Sequence, residues 1–210
     1  MSPHHRIATA AVAVSLLALG ACNKGGNTPP AAADQATNAT TSSSPPVAAA
    51  ENATAGAVGA VSAATTTTAG GFVTAAATSD MYEIQAAKLA EQNATNPAVK
   101  KFAARMIKDH TASSDKLKAL LAKGGINATL PTDLDERRKG LLDNLAKAKP
   151  ADFDKMYVDQ QVDAHDEAVT LLKGFIDHGD NDALKGFATS ILPTVQEHQG
   201  MAKALQASMK

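Results

Sequence analysis

From Phe72 onward, apolar residues return every three, four and seven positions, and no stretch alternates apolar and polar as a half-buried strand does. A chain patterned this way buries its apolar stripes by packing helix on helix. A first helix is predicted over 71–95, with Phe72, Ala76, Glu83, Ala87, Ala90 and Ala94 on one face. Asn96-Pro97 supplies an N-cap followed by proline at the first helical position. The second helix then runs over 97–123, with Val99, Phe102, Ala103, Met106, His110, Leu117 and Leu121 inward, until Gly124-Gly125 stops it. A long connection over 124–150 contains a short helix over 133–147 that Leu134, Leu141, Leu142 and Leu145 pack down. The third helix spans 151–178, with Phe153, Tyr157, Gln161, Ala164, His165, Ala168, Leu172 and Phe175 inward. The fourth begins at Asp182 and continues to the end, carrying Leu184, Phe187, Ala188, Ile191, Val195, His198, Met201 and Leu205 inward. Pro193 lies inside it, where a kink is expected. Two hairpins joined by one long crossover is ferritin-like connectivity, and an up-and-down bundle with a long loop is the alternative. The predicted fold is all-α: a four-helix bundle with a short extra helix in its second-to-third connection.

Each long helix carries one strongly polar residue in its apolar stripe: Glu83, His110, His165 and His198. Glu83, His110 and His165 fall near the midpoints of their helices. His198 lies past its own midpoint by about 4–5 Å at the helical rise. The four side chains are therefore expected in one layer. Asp109 and Glu197 each precede a histidine and are candidate outer partners of the imidazoles. Three imidazoles and a carboxylate suit one ion of zinc, iron, manganese or copper. A polar layer that only fixes helix register is the competing reading. A haem with Met106 or Met201 as an axial ligand is a third, and the absence of C-x-x-C-H excludes covalent haem. There is no Gly-rich phosphate loop, and no serine or cysteine in a nucleophile setting beside a histidine. His178 follows the third helix, where a cation suits the helix dipole.

The first 70 residues have a different character. Residues 1–21 have a weakly basic start and a short apolar run, "IATAAVAVSLLALGAC", that ends at Cys22. This is the pattern of an export signal, and the run is short for a membrane span. Leu19-Gly20-Ala21-Cys22 resembles a bacterial lipobox, so Cys22 is the expected lipidation site. It is the only cysteine, so no intrachain disulfide can form. Asn23 next to it fits sorting to the periplasmic face of the outer membrane, with a secreted or soluble periplasmic protein as the alternative. Residues 22–70 are rich in Ala, Thr, Ser and Pro, contain no aromatic residue and carry few charges, the composition of a disordered tether. Residues 71–210 are then the folded domain. Residues 1–21 hold one of the 20 basic side chains and none of the 21 acidic ones, so the remainder is weakly acidic. That balance, without a basic patch, argues against nucleic acid as a partner.

The segments "FVTAAATSDMYEIQAAKLAEQNATNPAVKKFAARMIKDHT", "FDKMYVDQQVDAHDEAVTLL" and "LKGFATSILPTVQEHQGMAKAL" resemble the Domain of Unknown Function 4142 family over Phe72 to Leu205. Members are often named as outer membrane proteins. The resemblance implies a ferritin-like bundle on an exported chain and no established activity. Glu83, Asp109 with His110, His165, and Glu197 with His198 match the family's polar helix positions. Ile107 and Val195 stand where Glu-x-x-His motifs would place glutamates, and His165 stands where a bridging glutamate is expected. A di-iron core is therefore not expected; a mononuclear site or a metal-free layer is. The functional expectation is a lipid-anchored envelope protein that binds a transition metal in homeostasis or stress protection. The rival is an envelope interaction module with a purely structural polar layer. An enzyme using His and Glu as acid and base is the more distant option.

Overall fold

A computed structural model describes residues 45–209, with side chains from Ala48 onward. The export-signal and lipobox expectations, Cys22 included, lie outside the described residues. Among the described residues there are six helices and no strands: α1 (Pro45–Thr65), α2 (Ala69–Asn93), α3 (Pro97–Ala122), α4 (Glu136–Ala146), α5 (Pro150–His178) and α6 (Asp182–Ser208). None of them is long and apolar enough to cross a membrane.

Local chemistry sets the boundaries. Thr68 Oγ1 accepts from Gly71 N at 3.2 Å to open α2. Asn96 Oδ1 accepts from Ala98 N at 2.8 Å to open α3, with Pro97 in the first turn. Gly124 and Gly125 end α3 with φ of 77° and 85°, a conformation open to glycine at no steric cost. Asp135 caps α4 by accepting from Arg138 N at 2.9 Å, so the helix opens at Glu136 and not at the predicted 133. Asn181 Oδ1 accepts from Leu184 N at 3.0 Å to open α6, and that helix runs unbroken through Pro193. One tie is not foreshadowed by periodicity: Asp154 on α5 accepts from the backbone N–H groups of Thr95 and Asn96, pinning the α2–α3 turn.

The four long helices α2, α3, α6 and α5 form a closed ring in which each packs on the two beside it. α2–α3 and α5–α6 are the hairpins, and α4 in the crossover lies on α2 and α5. The core is in two apolar parts. One gathers Tyr82, Phe102, Met106, Leu145, Phe153 and Tyr157. The other gathers Phe72, Leu117, Leu172, Phe175, Leu184 and Phe187, with Phe72 stacked on Phe175 at 4.1 Å. Each such side chain, fully buried, contributes about 1.5–3 kcal/mol. Along α3, α5 and α6 the layer histidines fall between these two parts, and on α2 Glu83 falls next to Tyr82 at the inner end of the first.

Where composition predicts a disordered tether, residues 45–65 form α1, which packs on α5 and touches α4. Its inward residues are small or polar: Ala48, Asn52, Gly59 and Ala63. Lack of bulk is what lets it seat. A Cβ at Gly59 would meet Glu167 and Arg137 side-chain atoms, and one at Gly56 would lie 2.8 Å from Asp163 Oδ2.

Candidate metal centre

The four layer residues are buried: Glu83, His165 and His198 are each 1% exposed and His110 is 4% exposed. Helical spacing delivers them from α2, α3, α5 and α6 to one level. The three imidazole rings meet with centroids 5.5, 5.6 and 5.7 Å apart. One ring nitrogen from each histidine lies within 4.8 Å of the others. Zinc–nitrogen bonds of about 2.0–2.1 Å place two ligands roughly 3.3 Å apart, so small ring movements close the difference.

The other nitrogen of each ring is occupied. His110 Nδ1 lies 2.8 Å from Asp80 Oδ1. His165 Nδ1 lies 2.8 Å from the backbone carbonyl of Gln161, one turn earlier. His198 Nε2 lies 3.0 Å from Asp109 Oδ2. A carbonyl or carboxylate oxygen accepts, so each of these nitrogens carries the proton. The remaining nitrogens, His110 Nε2, His165 Nε2 and His198 Nδ1, have no hydrogen-bond partner although buried. In its neutral form, each ring held this way offers the lone pair of that nitrogen to a metal. Anchoring one ring nitrogen on an oxygen so that the other can ligate is the usual support of a metal-binding histidine.

Electrostatics separate the three rings. Burial pushes His165 down to about 3, and the neighbouring His110 adds to this, so it is neutral near pH 7. Burial also lowers His198, with Asp109 opposing. Burial would lower His110 too, but the bond and charge of Asp80 outweigh it and raise the ring above its usual value. Glu83 is pushed up to about 7, chiefly by burial.

Glu83 adjoins the histidine group without being part of it. Its Oε1 lies 3.9 Å from His165 Nδ1, the nitrogen already bonded to Gln161 O, and its Oε2 has no partner. Gln161 and Tyr157 also leave buried side-chain atoms without partners. Asp109 and Glu197 fare differently. Asp109 bonds not its sequence neighbour His110 but His198 across the bundle, and also Arg105 at 3.2 Å. Glu197 turns outward into a two-pronged pair with Arg105, at 2.7 and 2.8 Å, and bonds no imidazole. Asp80 is the partner that sequence reasoning missed. It lies three residues before Glu83, hence on the same face of α2, and that spacing was the available signal.

No curated protein and no solved structure matches the chain. A family match runs over residues 27–205, beginning well before Phe72 and taking in α1 as well as the ring. By that match the chain belongs to the family described as Domain of unknown function (DUF4142).

Proposed function

We propose that the protein binds one transition-metal ion through His110, His165 and His198, in a ferritin-like bundle carried on the cell envelope by a lipid at Cys22. The observation that carries the metal reading is the set of three converging, unpartnered ring nitrogens, each ring being fixed from behind by Asp80, Gln161 O or Asp109. Imidazole donors suit zinc, iron and copper, and a carboxylate beside them admits manganese. Glu83, buried beside His165, supplies a negative charge and is the fourth candidate ligand. The ferritin-like assignment is supported by the two hairpins and the crossover that holds α4. The envelope assignment, and a role in metal homeostasis or stress protection, rest on the export signal and lipobox of the sequence.

Metal analysis of the full chain, purified without a histidine tag and dialysed against each candidate ion, tests the site. The expected result is about one ion per chain, falling below about a tenth in His110→Ala and in His165→Ala. Metal content no higher than in those variants would make the layer a register device and overturn the reading.

A further inference from the structure

The three rings stand in a nearly equilateral triangle, with centroids 5.5, 5.6 and 5.7 Å apart. That shape restricts the ion. An ion about 2.0–2.1 Å from each nitrogen lies roughly 3.2 Å from each ring centroid. Two centroids then stand about 4.5 Å apart at a right angle, about 5.2 Å at the tetrahedral angle, about 5.5 Å in a trigonal plane and about 6.4 Å across a trans pair. Octahedral and square-planar ions need right angles, and three nearly equal separations of the observed size do not supply them. The rings suit an ion of low coordination number.

The site is also closed. His110 Nε2, His165 Nε2, His198 Nδ1 and Glu83 Oε2 have essentially no water-accessible surface. His110 and His198 help to wall a cavity of about 100 Å³ between α3 and α6, yet their free nitrogens are not exposed to it. A catalytic metal keeps a position open for water or substrate, whereas a structural one is enclosed by protein donors. Glu83 is the donor left to complete the set. Asp80 and Asp109 are each bonded to a ring, while Glu83 Oε2 has no partner. Charge agrees with this set. Arg105 engages Asp109, which leaves Asp80 and an ionised Glu83 to balance a divalent ion without any added anion. A trivalent ion would strand a buried charge, which is costly. The donors are imidazole and carboxylate, not the thiolate and thioether that select copper(I).

We propose that the ion is zinc, held by His110, His165, His198 and Glu83 in a closed four-coordinate site that joins α2, α3, α5 and α6 and admits neither water nor substrate. This rests on the metal reading above, and the experiment separates the two. The full chain, dialysed without oxygen against equal zinc, iron(II) and manganese(II), should retain zinc. It is then loaded with cobalt(II) instead and titrated with sodium azide. Tetrahedral cobalt lacks a centre of symmetry and absorbs strongly in the visible, whereas six-coordinate cobalt is pale. The expected spectrum is intense and does not change with azide. Glu83→Gln, close in shape to the native side chain, should weaken zinc about 10- to 100-fold or more, at least the cost of losing an outer partner. Retention of iron or manganese in place of zinc would overturn the closed four-coordinate site and leave the histidine site standing. So would bound cobalt that is pale or answers azide, or zinc affinity indifferent to Glu83→Gln. Failure to hold any of these ions would overturn both.

Discussion

Two polar clusters are buried in this bundle, and they are finished to different degrees. Under α1, Glu167 accepts from Arg137 and Arg138 at 2.6–3.0 Å, and Arg138 also reaches Asp135 at 2.6 Å. Tyr82 donates to Gln160, whose amide bonds Leu141 O and Asn52. Among the described residues, none of these side chains leaves a buried polar atom unpartnered. The histidine layer leaves one nitrogen per ring, a Glu83 oxygen, both Gln161 amide atoms and two hydroxyls without partners. The two clusters share α2 and α5, while α1 and α4 complete one and α3 and α6 the other. A cluster that only holds structure satisfies itself; one that leaves aligned lone pairs is built for something else to fill.

The strongest test of that contrast disrupts the finished cluster. Glu167→Gln leaves two guanidinium groups without their shared carboxylate, and a broken buried ion pair costs about 3–5 kcal/mol. Urea denaturation should show a loss of that order, while metal stoichiometry stays at the wild-type value. If Glu167→Gln also empties the histidine site of metal, the two clusters are not independent and the contrast fails. In the layer, Asp109→Asn should lower metal affinity about 10- to 100-fold by loosening His198. Competition with a chromophoric chelator measures this, and unchanged affinity would remove Asp109 from the site.

A pH experiment sharpens the comparison further. Between about pH 4.5 and pH 7 native Glu83 holds a proton that the unfolded chain releases. Its contribution to stability is thus present below the unfolded value and lost as pH rises through about 7. His165 has the opposite sign: its contribution is present above about 6.5 and lost as pH falls toward about 3. Chelator-treated Glu83→Gln should therefore lose less stability than wild type from about pH 5 to pH 8. Parallel urea midpoints across that range would remove Glu83 as a titrating member of the layer.

Much of the ring was legible because long side chains recur at helical spacing. Phe102, Met106 and Leu117 mark the inward face of α3, and Asn96-Pro97 and Gly124-Gly125 mark its ends. The midpoint argument brought His110, His165 and His198 to one level for the same reason. Helix α1 was not legible. Ala48, Asn52, Gly59 and Ala63 each bury little area, so no apolar periodicity stands out, and its seating depends on groups of α4 and α5 far along the chain. The Asp80–His110 and Asp109–His198 bonds were hidden differently. Periodicity offered Asp109 and Glu197 as outer partners without fixing which ring each meets, and Asp80 stands beside no histidine; the bonds form between helices, which neighbouring positions about 100° apart do not reveal.

Glu197 gives the smallest expected effect and the cleanest control for that last point. It matches Asp109 in standing directly before a layer histidine, and by sequence the two were equivalent. In the fold Asp109 faces His198, while Glu197 pairs with Arg105 at the surface, its side chain 56% exposed. An exposed pair of this kind is worth about 0–1 kcal/mol and weakens with salt. Glu197→Gln should therefore cost less than about 1 kcal/mol in urea and leave metal affinity within about twofold of wild type. Its one route to the layer is through Arg105, which also bonds Asp109 at 3.2 Å. If Glu197→Gln weakened metal as much as Asp109→Asn, that surface arginine would be transmitting charge into the layer. The boundary between a finished outer cluster and an open inner one would then have to be drawn outside Arg105.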